Sequence, residues 1–194
     1  MSGVRRVSGL CVALDRDDVD TDQILPADHM KGLSRHGLGA HLFARLRLDS
    51  TGLPDPAFML NRHCAEPPAI LLVGGNFGCG SSREHAVWAL IDQGIGCLIG
   101  TSFGTIFTNN CRKNGLVAAR VTAADRSALR EAVGKDGCRL AVNLERCEIE
   151  MDGAPFCRFA ISEIDRKMLL AGGDEIDRTL AHLPAIEQYE RGAL

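Results

Sequence analysis

The chain has 194 residues, of which 45% are hydrophobic and 24% charged, so it can bury a sizeable core and reads as one globular domain of ordinary composition. A formal charge of −3 gives no reason to expect nucleic acid or an anionic membrane surface as partner. Met1 to Gly9 is short, polar and basic rather than signal-like, and no apolar run reaches the length of a bilayer span, so a cytoplasmic location without membrane contact is expected.

Val4 to Leu14 reads as a strand. Five aspartates follow within Asp15 to Asp22, but the glycine and terminal glutamate of an EF-hand loop are missing. Asp20-Thr21-Asp22 is better read as a turn whose side chains bond local backbone. The other reading of its acids is that one orients a catalytic histidine supplied from elsewhere. Ala27 to Leu48 is basic and broken by glycines, which predicts a loop and then a short helix over about Ala40 to Arg45. Most of its cations suit a solvated face, and Arg35, between glycines, is the best placed to reach a ligand. Asp49 to Pro68 holds four of the seven prolines and is irregular, with Phe58-Met59-Leu60 a short strand or an anchor onto the core.

Ala69 to Val73 predicts a buried strand. A helix over about Arg83 to Gln93 follows the next loop, with Val87, Leu90 and Ile91 facing the core and Gly94 as its stop. Gly96 to Ser102 and Leu116 to Val121 are further strands, separated by a helix from Phe103 to Lys113. Thr122 caps a helix over Ala123 to Val133. Arg139 to Glu145 and Cys147 to Met151 form a hairpin around Arg146, and a C-terminal helical extension over about 161–194 breaks at Gly172-Gly173. Strands alternating with helices predict an α/β fold with right-handed crossovers and parallel pairing.

Between the strand at Val73 and the helix lies Gly74-Gly75-Asn76-Phe77-Gly78-Cys79-Gly80-Ser81-Ser82-Arg83-Glu84-His85, with four glycines in seven residues. Ser81 and Glu84 fit a capping box. A strand, a glycine loop and a helix N-terminus also make an anion site, because such a terminus carries unpaired N–H groups and partial positive charge. Ser81, Ser82 and the planar fork of Arg83 converge on it. Competing motifs fail. No Lys-Ser/Thr pair follows the glycines, G-x-S-x-G is absent, and Arg83 stands where a dinucleotide loop has its third glycine. Cys79 could act as a nucleophile with His85 as base, which makes a thiol enzyme one competing class. A stand-alone phosphate-binding module is another. No two of the eight cysteines lie within four residues of each other, so a local zinc or iron–sulfur ligand set is not expected, and most read as small buried hydrophobes.

These residues carry a resemblance to the small subunits of 3-isopropylmalate dehydratase, in the aconitase superfamily. It covers nearly the whole chain and rests on Val19-Asp20-Thr21-Asp22-Gln23-Ile24-Leu25-Pro26, on His41-Leu42-Phe43, on Asn76 through Ala86, and on Ser102-Phe103 to Phe107 with Asn110. The resemblance implies the swivelling β/β/α domain that is the mobile C-terminal domain of aconitase. Here it would be a separate chain that docks on a large subunit and works only with it. That partner would carry a [4Fe-4S] cluster acting as Lewis acid on the leaving hydroxyl, and this chain would hold no metal. The implied reaction is isomerisation of 2-isopropylmalate to 3-isopropylmalate through 2-isopropylmaleate, in leucine biosynthesis. By the same resemblance Ser81 is the base, Ser82 and Arg83 hold a substrate carboxylate, Asp22 pairs with a catalytic histidine of the large subunit, and Arg35 lies in the recognition segment. Asp28-His29-Met30 and Gly37-Leu38-Gly39 depart from the usual pattern in that segment, where Met30, Leu33 and Leu38 offer apolar surface. The alternative is therefore a paralogue acting on another substituted malate, of methylmalate, dimethylmalate or homoaconitate type.

Overall fold

The computed structural model describes residues 3–30, 34–63, 66–173, 179–180 and 182–192. Its centre is a set of short strands apolar on both faces, as buried parallel strands must be. β1 (Arg6–Leu14), β2 (Ile70–Val73), β3 (Cys97–Gly100) and β4 (Val117–Arg120) pair in parallel. β5 (Cys138–Asn143), β6 (Glu148–Met151) and β7 (Ala154–Arg158) continue antiparallel from β1. The result is a seven-stranded sheet in the order β4-β3-β2-β1-β5-β6-β7. The short helical turns of the first half are α1 (Thr21–Ile24), 3₁₀ turns at Ala27–His29 and Gly39–His41, α2 (Ala44–Arg47) and α3 (Met59–Arg62). The longer helices are α4 (Glu84–Asp92), α5 (Thr105–Lys113), α6 (Ala123–Val133) and α7 (Glu163–Ala171).

Side chains alternate across the strands, so the sheet builds one core on each face. Val12, Leu14, Leu71, Val73 and Leu98 meet Val87 and Leu90 of α4, Phe107 of α5 and the anchors Phe43, Phe77 and Leu60. Cys11, Ile70, Leu72, Cys97, Ile99 and Val117 meet Leu129 and Val133 of α6 and Leu169 of α7. Of the free cysteines, Cys11, Cys97 and Cys111 are buried, and burial pushes all three thiols up. They behave as small hydrophobes.

The α/β alternation and parallel pairing read from the sequence are present, and the predicted helix Ala123 to Val133 has the expected bounds. Several local expectations fail. The helix over Ala40 to Arg45 is instead a 3₁₀ turn and α2, separated at Phe43, whose φ of 54° is left-handed. Phe58-Met59-Leu60 opens α3 rather than forming a strand, and its other reading holds, because Met59 and Leu60 are buried in the core with Phe58 packed against it. Ile91 is 38% exposed, and Ala86 and Ala89 take the core positions beside Val87 and Leu90. β7, which no hydrophobic alternation announced, is an edge strand with mostly exposed residues and a proline. Within the C-terminal segment α7 is tied to the body, because Val4 N–H donates to the Leu169 carbonyl at 2.8 Å and Leu169 is buried. Leu183–Gly192 forms a helix that buries none of its residues. Residues 174–178, just beyond the predicted break, lie outside those described.

The capping box at Ser81 is also not formed. α4 starts at Glu84, its N-cap position is Arg83, and no side chain caps it. The Glu84 carboxylate instead accepts from Asn114 Nδ2 at 2.6 Å. Thr122, by contrast, caps α6 by accepting from the Asp125 N–H at 3.1 Å. The two hydroxyls should therefore differ in urea unfolding. Thr122→Ala is expected to cost about 1 kcal/mol, the usual cap loss. Ser81→Ala should stay within about 0.5 kcal/mol of the parent, as surface changes usually do.

Candidate active site

β1, β2 and β3 are parallel, so the loops that follow them leave the sheet at one edge, where open α/β sheets bind ligands. The loops are stitched together by backbone. Asp18 N–H donates to Gly75 O at 2.9 Å, Gly78 N–H to Val19 O at 2.7 Å and Thr21 N–H to Cys79 O at 3.1 Å. On the other side, Phe77 N–H donates to Ser102 O at 3.2 Å and Gly104 N–H to Phe77 O at 2.9 Å. Phe77 is fully buried and meets Phe107 edge-on at 5.6 Å. Gly78 has to be glycine, because its φ is +73° and a Cβ would sit 2.2 Å from the Phe107 ring.

The aspartate run serves this stitching. Asp17 accepts from Gly75 N–H at 2.6 Å, Asp18 from Asn76 Nδ2 at 2.8 Å, and Asp20 caps α1 by accepting from Gln23 N–H at 2.7 Å. Asp15 pairs with Arg126 and Arg130. Among the described residues no group of three His, Cys, Asp or Glu side chains could hold a metal ion.

At the loop tips, Asp22 accepts from Arg83 Nη1 at 2.6 Å and from Ala27 N–H at 3.1 Å, and Arg45 closes on its other oxygen. The Arg83 hydrogen bond first, then the Ala27 N–H, with the Arg45 charge adding, holds the Asp22 carboxyl below the usual carboxylate range. Arg83 is thus fixed from behind, with 26% of its side chain exposed. Ser81 and Ser82 are exposed beside it, and among the described residues their hydroxyls make no hydrogen bond. α4 starts one residue further on with no side-chain cap, and the N–H groups at such a helix start carry partial positive charge.

Four of the five sequence-derived candidates, Asp22, Ser81, Ser82 and Arg83, therefore lie together. Arg35 does not join their hydrogen bonds. It is exposed, and its guanidinium lies 4.9 Å from the centre of the Trp88 ring, a cation–π contact one turn along α4. With His36, Trp88, Ile91, Asp92 and Asn114 it lines an open cavity of about 380 Å³. Leu38, expected to offer apolar surface to a ligand, is buried in the core, and Met30 is partly buried against it. Leu33 lies outside the described residues. Burial first, then the Asp20 and Asp18 carboxylates, push the Cys79 thiol up, which is the wrong direction for a nucleophile. His85 lies against Trp88, ring centres 4.6 Å apart. The sequence reading missed Arg45, set aside as part of a solvated face, and Thr21, whose hydroxyl donates to the Ser81 carbonyl at 3.1 Å.

Residues 1–124 match the aconitase C-terminal domain, and the chain belongs to that family. It is 41% identical over 187 residues to the 3-isopropylmalate dehydratase small subunit of Rhizobium rhizogenes, covering 96% of this chain and 93% of that protein. The Agrobacterium fabrum protein of the same name is 41% identical over 192 residues, covering 98% and 96%. The crystal structure of 3-isopropylmalate dehydratase from Methanocaldococcus jannaschii superposes with a TM-score of 0.66 at 27% identity, covering 95% of this chain and 99% of that one. Within the aconitase superfamily the chain is thus a member of the 3-isopropylmalate dehydratase small-subunit family.

The Asp22 clamp has a measurable signature. In NMR titration Asp22 should titrate below about 3.9, the ordinary aspartate value, and Arg83→Gln should move its midpoint upward. A carboxyl whose folded-state pKa is depressed adds stability that is complete above its unfolded pKa and is lost as pH falls through the folded value. The parent should therefore lose more stability on acidification than Arg83→Gln, and an equal loss in both would deny the clamp.

Proposed function

We propose that this chain is the small subunit of a heteromeric hydro-lyase that interconverts 2-isopropylmalate and 3-isopropylmalate through 2-isopropylmaleate in leucine biosynthesis, acting in the cytoplasm and only with a cluster-bearing large subunit. The observation that carries this reading is the row of exposed Ser81 and Ser82 hydroxyls beside a clamped Arg83, in a chain 41% identical over 187 residues to proteins of that name.

The residues divide the work by their chemistry. Dehydration of a hydroxy diacid removes a proton α to a carboxylate and expels the hydroxyl from the neighbouring carbon as its C–O bond breaks, a leaving group that the partner's cluster would accept as Lewis acid. Ser81, as alkoxide, takes that proton and returns it when the alkene is rehydrated. A serine hydroxyl reaches that state only beside positive charge and open N–H donors, which Arg83 and the uncapped start of α4 supply. Ser82 and Arg83 hold a substrate carboxylate, the guanidinium by two parallel hydrogen bonds. Asp22 keeps Arg83 in place and is also the acid that would meet a histidine of the large subunit. We assign Arg35, whose guanidinium rests on Trp88, to the carboxylate common to all substituted malates, which leaves the choice of alkyl group to other residues. The unusual Asp28-His29-Met30 and Gly37-Leu38-Gly39 make a panel of alkylmalates part of any assay.

The described cysteines of this chain do not fit an iron–sulfur cluster. Those described are spread over both cores and the loop, and no local ligand set exists among the described residues. We assign the cluster to the large subunit, as the small-subunit relationship implies. Chain purified alone under anaerobic conditions should contain no stoichiometric iron and sulfide, and finding both would overturn that assignment.

In the complex reconstituted with its large subunit, Ser81→Ala should lower kcat by at least about 10³, the scale of losing a positioned proton-transfer group, while assembly is unaffected. Near-normal turnover would remove Ser81 from the chemistry. Tight phosphate binding by the isolated chain would favour the stand-alone anion module.

A further inference from the structure

We propose that Thr21 is the positioning residue of Ser81: its buried hydroxyl holds the Ser81 carbonyl and so fixes where the serine oxygen points. This rests on the reading of Ser81 as the proton-transferring group.

Ser81 has little else to hold it. Its hydroxyl makes no hydrogen bond among the described residues, and the residue is exposed. The residue before it, Gly80, has φ of +85°, and a Cβ there would meet nothing closer than the Asp20 Cβ at 3.6 Å. A glycine with free space around it does not by itself restrain the next residue. Thr21 spans this weak point. Its N–H donates to Cys79 O at 3.1 Å and its Oγ1 donates to Ser81 O at 3.1 Å, so it grips the chain on both sides of Gly80.

Thr21 is suited to the task. It is only 2% exposed, and a β-branched side chain has a stiff χ1. It is the first residue of α1, whose capping box is made by Asp20 and Gln23. The next residue is Asp22, which clamps Arg83. One short turn therefore sets the position of the base through Thr21 and of the carboxylate-binding arginine through Asp22. Being buried, Thr21 acts through Ser81 and does not itself meet substrate.

The test uses the complex reconstituted with the large subunit and isolated by gel filtration, so that kcat is counted per assembled complex. Thr21→Val keeps the shape and removes the donor, and Thr21→Ser keeps the donor. Thr21→Val should lower kcat about 10- to 100-fold, the scale of a small misplacement of a reacting group, with KM changed less than about twofold. Thr21→Ser should recover most of the loss. If Thr21→Val does not assemble, Thr21→Ala, which cannot overpack, carries the same expectation. Parent-like kcat in the donor-less variant, an equal loss in the valine and serine variants, or a change confined to KM would each overturn the proposal. Ser81→Ala, run in parallel, separates the two ideas. If it is inactive while Thr21→Val is fully active, only the role of Thr21 falls. If Ser81→Ala itself turns over normally, the reading of the base falls.

Discussion

The register of β1 against β2 governs the site. Leu14 lies opposite Val73, so two parallel strands end level with each other and release their loops side by side. The pairing does not stop where the sheet does, because Asp20 forms a further parallel bridge with Cys79. Two loops remote in sequence become one backbone-bonded layer, and Ser81 to Arg83 lie at its tip. A one-residue slip of β1 would turn its buried residues to the opposite face and separate Asp22 from Arg83 together.

This layer explains two odd compositions at once. A glycine-rich loop presents backbone donors and has few side chains to satisfy them, and an aspartate-rich loop presents carboxylates. Placed side by side, Asp17 takes the Gly75 N–H and Asp18 the Asn76 amide. The acids that suggest a cation in isolation are spent on protein donors. What is left uncovered at the tip is donor-rich and cationic, as an anion site requires.

Much of this was legible in the sequence. The short apolar runs gave the strands, and the G-S-S-R string after one of them marked the candidate site. Local pattern misled where a choice depended on the third dimension. Ser81 and Glu84 have the spacing of a capping box, but Asn114, thirty residues away, takes the glutamate and the helix begins at Glu84. Arg45 and Arg35 look alike as cations in a basic segment. Only the packing of α2 beside α1 sends Arg45 to Asp22, and only Trp88 on α4 explains where Arg35 rests. Thr21 resembles any turn threonine until the parallel pairing brings it, across sixty positions, to the Ser81 carbonyl. β7 is silent in sequence because an exposed edge strand buries too little to impose alternation.

The Asp22–Arg83 pair is 29% and 26% exposed, so in the isolated chain water screens both its attraction and the field that Arg83 projects toward the serines. Any surface that closed over this edge would expel that water and lower the local dielectric constant, strengthening every charge already in place without moving one. Shielding and switching on would then be a single event. The candidate edge would be quiet in solution and strong under cover, and an unassembled chain would have little means of doing unwanted chemistry.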